Sequence, residues 1–136
     1  MEALINLLHR LDDPMRGEAP AGFDRSDAIA RFGEFAGGLA AAATVELASD
    51  TRIEDASFFA ELGFGTGALR FSSFGNMIAL TPDAEPPPSL LEHILKLAPR
   101  HGYVFVPANE LEQPYTGSNP GVMGIRDWWI RYFDYL

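Results

Sequence analysis

Cysteine is absent from the 136 residues of this sequence. Disulfide bridges, thiolate nucleophiles, zinc fingers and iron–sulfur clusters are therefore excluded. The absence also agrees with a reducing compartment, and we expect a cytoplasmic protein. Histidine is scarce, and His9, His93 and His101 do not have the spacing of a metal site. We expect each to be a surface or capping residue, and we predict no metal and no cofactor.

Long hydrophobic runs are also missing. The most apolar run, residues 37–45, has nine residues, which is less than half of the roughly 20 that a membrane-spanning helix requires. The first six residues contain no basic side chain, so they do not have the form of a secretory signal. We therefore expect neither a membrane-spanning segment nor a secretory signal.

Basic residues are few compared with acidic ones. Ten Lys and Arg stand against 19 Asp and Glu, which gives a net charge of −9. This charge repels nucleic acid and anionic lipid and attracts basic partners, although solubility alone is an alternative explanation. Residues 44–62 hold five acidic residues against Arg52 alone, namely Glu46, Asp50, Glu54, Asp55 and Glu61. We predict that these five side chains contact a cationic protein partner.

The length suits a single domain spanning residues 1–136. Apolar spacing predicts a helix at 1–12 and a second helix from Ser26 or Asp27, which either stops at Gly37-Gly38 or continues through the following alanines. Alternating patterns predict strands at 44–47, 57–64, 68–73 and 77–81, and these form an antiparallel meander.

The second half of the chain completes the pattern. A capping box at Ser89 and Glu92 opens a helix that ends near Ala98, after the stiff connector 82–88. The buried side of this helix is predicted to comprise Leu90, Leu91, Ile94 and Leu95. A compact strand at 103–106 and a long ordered loop or lid at 107–124 follow. The fold class predicted is α+β, an antiparallel sheet meander with helices packed on it.

The C-terminal segment is the densest in aromatic residues. Residues 125–136 fit helical spacing, and we prefer a helix to a strand, although Trp, Ile, Tyr and Phe are also common in strands. We expect Trp128 and Phe133 to pack in the core, and Asp127 and Arg131 to pair on the outer side of the helix. The alternative is that one of these aromatic side chains is exposed and anchors an interface.

Catalytic motifs are not found in the sequence. The glycines at 63, 65 and 67 lack the spacing and the following helix of a nucleotide-binding loop, so a hairpin turn is favoured. There is no Gly-x-Ser-x-Gly motif, and the basic residues form no stripe of the kind that binds nucleic acid. Glu110 and Glu112 share one face of an extended chain, but surface carboxylates are their simplest interpretation. We therefore predict a protein that is not an enzyme.

Four sequence segments in the second half resemble a known class of proteins. They are LRFSSFGN at 69–76, GYVFVP at 102–107, Leu111-x-x-x-Tyr115-Thr116-Gly117, and WWIRYFDYL at 128–136. This part of the chain, residues 68–136, resembles the immunity proteins that bacteria encode beside polymorphic or contact-dependent toxins. The resemblance implies a cytosolic inhibitor that binds one toxin domain and blocks it, without a cofactor and without turnover.

Three functional hypotheses follow. The first is an immunity protein that binds a basic toxin domain, with Glu110, Glu112 and Tyr115 as second candidates for partner contacts beside the acidic stretch. The second is an accessory or self-associating module that uses the aromatic C-terminus. The third is a small enzyme, which requires two or three groups from one set to converge in a pocket. That set is His93, His101, Glu110, Glu112 and Asp55.

Overall fold

The computed structural model describes residues 2–13, 16–43, 45–53, 56–117 and 126–134. Its helices are α1 (Glu2–Leu11), α2 (Arg25–Ala42), α3 (Pro88–Arg100), α4 (Ala108–Leu111) and a C-terminal π-helix (Ile130–Asp134). Its strands are β1 (Ala48–Asp50), β2 (Phe58–Gly63), β3 (Ala68–Ser72), β4 (Met77–Leu80) and β5 (Val104–Phe105). None of the helices in these ranges combines the length and the apolar character needed to cross a bilayer.

The five strands form one sheet in sequence order. β1 to β4 are an antiparallel meander, and β5 pairs with β4 in parallel after the chain returns through α3. The predicted α+β fold is thereby confirmed. The strand predicted at 44–47 is wrong, because pairing with β2 begins at Ala48, opposite Gly63. Val45 and Leu47 instead pack against the core from the segment before the strand, and residue 44 lies outside the described residues.

α2 and α3 cover one face of the sheet. α2 begins after Asp24, whose side chain accepts a hydrogen bond from the backbone of Asp27, and it continues through Gly37-Gly38 to Ala42. Phe32 and Phe35 on this helix meet the central ring of Phe71 on β3 edge to face, with ring centroids 4.7 and 5.7 Å apart. This cluster of aromatic rings is the centre of the first core.

α3 differs from the prediction at both ends. It begins at Pro88 after Pro87, and no side chain caps it, so the predicted Ser89 capping box is wrong. The fixed φ angle of proline suits the first helical turn, and proline has no N–H group that would need a hydrogen-bond partner there. The helix can therefore begin without a polar cap. Leu90, Ile94 and Ala98 are the side chains of α3 buried in the core, whereas Leu95 is 49% exposed and its predicted burial is also wrong.

The C-terminal segment packs on the opposite face of the sheet, together with α1. Trp128 and Phe133 are fully buried, which confirms their predicted place in the core. The segment is helical as predicted, but residues 130–134 form a π-helix, which is wider than an α-helix. Trp128 stacks on Tyr132 and Trp129 on Phe133, with ring centroids 5.7 and 5.1 Å apart. The predicted start near residue 125 lies outside the described residues.

Replacement of Phe133 by Ala tests this second core. Loss of a fully buried aromatic ring is expected to lower the free energy of unfolding by about 3–5 kcal/mol. The exposed Leu95 provides the control, because Leu95→Ala removes little buried surface and should change stability by less than about 1 kcal/mol. Urea unfolding followed by tryptophan fluorescence gives both values. An unchanged midpoint for Phe133→Ala would place the segment outside the core.

Candidate functional site

Four segments of the chain meet at one end of the sheet. β2 and β4 run toward this end, so the β2–β3 turn at 64–67 and the loop after β4 at 81–87 lie beside each other. Residues 45–47 lead into β1 at the same end, because β1 is antiparallel to β2. β5 is parallel to β4 and therefore places the start of α4 here as well.

The two central segments are fixed to each other by hydrogen bonds. The Thr66 hydroxyl donates to the carbonyl of Glu85 at 2.8 Å, and the Ala68 N–H donates to the Thr81 hydroxyl at 3.1 Å. Gly67 permits the close approach, because a Cβ at this position would lie only 2.9 Å from Cα of Ala84. The loop after β4 is therefore held in one position against the β2–β3 turn.

In the described segments at this end of the sheet, the charged side chains are all acidic. Residues 45–49, 63–67, 81–91 and 106–113 contain no Lys, Arg or His. Within the described ranges, none of their acidic side chains forms an ion pair with a basic residue. We call this surface the acidic end, and its residues are Glu46, Asp83, Glu85, Glu110 and Glu112. From β1 to β5 it extends over roughly 19 Å, because neighbouring strands lie about 4.8 Å apart.

The other end of the sheet carries charges of both signs. Arg25 donates to the carbonyl of Thr51, just beyond β1. Arg31 donates to the side chain of Asn76 in the β3–β4 turn and lies 3.7 Å from Asp27. Arg100 ends α3 at this end. The protein therefore has a charge asymmetry along the direction of its strands.

The structure separates the acidic residues that the sequence grouped at 44–62. Asp50 and Glu61 are cross-strand partners on β1 and β2. Glu61 accepts a hydrogen bond from Arg70 at 2.8 Å, and Asp50 accepts one from the backbone of Arg52. Both carboxylates thus have partners within the fold, whereas Glu46 lies exposed at the acidic end. Glu54 and Asp55 lie outside the described residues.

The second predicted group is also divided. Glu110 lies on α4 and Glu112 directly follows this helix. A helix of four residues is only about 6 Å long, so both stay at the acidic end. Tyr115 has a different place, because its hydroxyl donates to Oδ2 of Asp12 at 2.6 Å and its ring packs against Trp128. Its position indicates a structural role.

Asp12 is the centre of a buried polar network with Arg131. The Arg131 side chain is 0% exposed and that of Asp12 is 1% exposed, and Nε of Arg131 donates to Oδ1 of Asp12 at 2.7 Å. The remaining guanidinium nitrogens donate to the carbonyls of Gly17 and Arg16. The predicted outer pair of Asp127 and Arg131 is therefore wrong, because both residues are buried.

Asp127 has a different task in the same region. Its side chain accepts a hydrogen bond from the backbone N–H of Ile130 at 3.0 Å, and it forms an ion pair with the exposed Arg126. Nearby, the Tyr132 hydroxyl donates to the carbonyl of Leu8. Burial, together with the negative charge of Asp12, raises the pKa of Tyr132 well above its usual range. Tyr132 therefore remains a hydrogen-bond donor at physiological pH.

The histidines considered for catalysis have separate positions on the fold. His93 is half-buried on α3, and His101 is the C-cap of the same helix, with its ring edge to face against Phe35. Nε2 of His9 lies 3.0 Å from the hydroxyl of Thr116. Among the described residues, no three His, Asp or Glu side chains are close enough to hold a metal ion.

Sequence reasoning missed Asp83 and Glu85. They fall within the connector at 82–88, whose prolines predict only a stiff link between β4 and α3. A usable signal was present, because no Lys, Arg or His occurs between Arg70 and His93. The positive φ of 64° at Asp83 marks a defined turn in this connector.

No protein-family model, curated protein or solved structure matches this chain. The function must therefore be inferred from the charge and the shape of its own surface. The acidic end is the candidate functional site, because its carboxylates form no ion pair among the described residues and hydrogen bonds hold the loop that carries Asp83 and Glu85.

Removal of Arg131 tests the buried network. Arg131→Met leaves the Asp12 carboxylate buried without its cation, and we expect a loss of about 3–5 kcal/mol in the free energy of unfolding. The control is Arg52→Met, because the Arg52 side chain is 93% exposed and 3.7 Å from Asp50. This variant should lose less than about 1 kcal/mol. Equal effects in chemical denaturation would contradict the structural role of Arg131.

Proposed function

We propose that this protein is a non-enzymatic binding protein, an immunity protein that binds and neutralises a cognate bacterial toxin domain in the cytoplasm. The observation that carries the proposal is the acidic end, where Glu46, Asp83, Glu85 and Glu112 are exposed and Glu110 is half-buried. None of these five side chains forms an ion pair within the described residues. The resemblance of residues 68–136 to immunity proteins supports the same assignment.

The partner we propose is a basic protein surface. Many toxins of this class act on nucleic acids, and enzymes that bind phosphate backbones carry positive surfaces. A negative surface on the inhibitor steers such a partner toward it and raises the association rate. The same surface repels nucleic acid and anionic membranes, so we propose neither as a ligand.

The size and rigidity of the acidic end suit an interface of this kind. A standard protein interface buries about 800 Å² on each partner. The acidic end, roughly 19 Å wide across the strands, would form part of such a patch. The hydrogen bond from Thr66 to the carbonyl of Glu85 fixes the loop that carries two of the acidic residues. A surface that is already ordered loses little conformational entropy on binding.

Charge reversal at the acidic end tests the proposal. The probe is the C-terminal domain of the protein that the open reading frame directly upstream encodes, purified in an inactive form, since the proposal requires this product to be the toxin. The variant is Glu46→Lys with Glu85→Lys, because both side chains are exposed. We expect the association rate, measured by surface plasmon resonance at low salt, to fall by about tenfold or more.

A matched variant controls for total charge. Glu18→Lys with Glu34→Lys changes the net charge equally, from −9 to −5, but both side chains lie outside the acidic end. We expect this variant to lose less than about threefold in the association rate, since steering depends on local charge as well as net charge. Failure of the unaltered protein to bind and neutralise the upstream product would overturn the proposed function. Equal losses in the two variants would move the interface away from the acidic end.

A further inference from the structure

An apolar groove opens within the acidic end. It has a volume of about 320 Å³ and lies between α3, the ends of β4 and β5, and the start of α4. Its larger apolar lining residues are Leu80, Leu91, Leu95, Phe105 and Pro107, and Ala84 and Ala108 complete the apolar lining. Asp83 is the charged residue among the described residues that line it.

The groove exists because α3 has more apolar surface than the sheet covers. Leu90 and Ile94 form one row along the helix and are buried in the core. Leu91 and Leu95 form the neighbouring row, one residue further around the helix, and they face the groove. Leu95 is 49% exposed, and Val104 at 45% is the other large apolar side chain with comparable exposure in the described part of the chain.

The charge around the groove limits what can occupy it. Asp83 and Glu85 lie on the loop at one side, and Glu110 and Glu112 lie on and after α4 at the other. The nearest cation on α3 is Lys96, and it pairs with Glu92 at 3.3 Å. A second copy of this chain would bring two acidic ends together in a symmetric dimer, where like charges repel.

We propose that the groove takes an apolar side chain of the protein partner, presented by a segment in which Lys or Arg flank that side chain. This inference rests on the proposed function. It adds an apolar contact in the groove to the electrostatic attraction that the acidic side chains provide. Binding energy in protein interfaces concentrates in a desolvated apolar centre, and a polar rim around it excludes water. Leu91, Leu95 and Phe105 would form the centre, and the four surrounding carboxylates the rim.

Synthetic peptides test the groove without the toxin. The probe is a short peptide with Leu and Phe between pairs of Lys. One control peptide has Ser in place of Leu and Phe, and a second has Glu in place of Lys. Binding is followed by two-dimensional NMR of the isotopically labelled full-length protein. We expect the probe to shift the signals of Leu91, Leu95 and Phe105, and the Ser peptide to bind at least about tenfold more weakly. The Glu peptide should not bind.

Two protein variants locate the contact. Leu95→Gln keeps a good helix former and removes the apolar end of the side chain, so we expect about tenfold weaker binding of the probe. Val104→Thr is the matched control. Val104 is exposed and lies opposite Met77 in the β4–β5 register, so its side chain is on the same face of the sheet as Met77, away from α3. Its binding should be unchanged.

Several results would overturn the proposal. Equal binding of the probe and the Ser peptide would reduce the site to a charged surface, and binding of the Glu peptide would remove the charge requirement. If Leu95→Gln binds the probe peptide as tightly as the unaltered protein, the groove is not the binding site. If the unaltered protein self-associates and Leu95→Gln abolishes this self-association, the groove is occupied by a second copy of the chain and not by the partner. Neutralisation of the toxin without peptide binding would reject the groove and retain the proposed function. Peptide binding without toxin binding would retain the docking surface and reject the toxin assignment.

Discussion

The buried ion pair between Asp12 and Arg131 determines how the two ends of the chain come together. It connects the segment after α1 with the C-terminal π-helix, and the guanidinium also binds the carbonyls of Arg16 and Gly17. Removing two charges from water is costly, and here the hydrogen bonds to Arg131 and Asp12 offset much of that cost. With this pair in place, the stacked aromatic rings of the C-terminus cover the second face of the sheet.

The two faces of the sheet consequently serve different purposes. One face packs against α2 and α3 through Phe32, Phe35 and Phe71. The other packs against both ends of the chain, including Leu8 and Trp128. Neither face is available for a partner where these elements cover it. One end of the strands carries the groove beside α3 and the acidic residues that form no ion pair within the described part of the chain.

The candidate site was only partly predictable from the sequence. The acidic stretch indicates Glu46, and the segment after β5 indicates Glu110 and Glu112 as second candidates, but nothing in the sequence places the two groups on one surface. The structure joins them because β1 is antiparallel to β2 and β5 is parallel to β4, which places both segments at one end. In the sequence, Asp50 and Glu61 are as good candidates for partner contacts as Glu46, yet Glu61 forms an ion pair with Arg70 on the next strand. No local pattern reveals such a cross-strand partner.

The sequence by itself determined the class of the protein, its meander and the burial of its aromatic C-terminus. These features follow from periods of two and of three to four residues, which depend only on near neighbours in the chain. Tertiary structure alone decided that Arg131 meets Asp12, which lies 119 residues away, and that Leu95 stays exposed while Ile94 is buried. Such outcomes depend on which surfaces meet once the chain has folded, because the type of a side chain and its near neighbours in the sequence do not identify a partner that is distant in the chain.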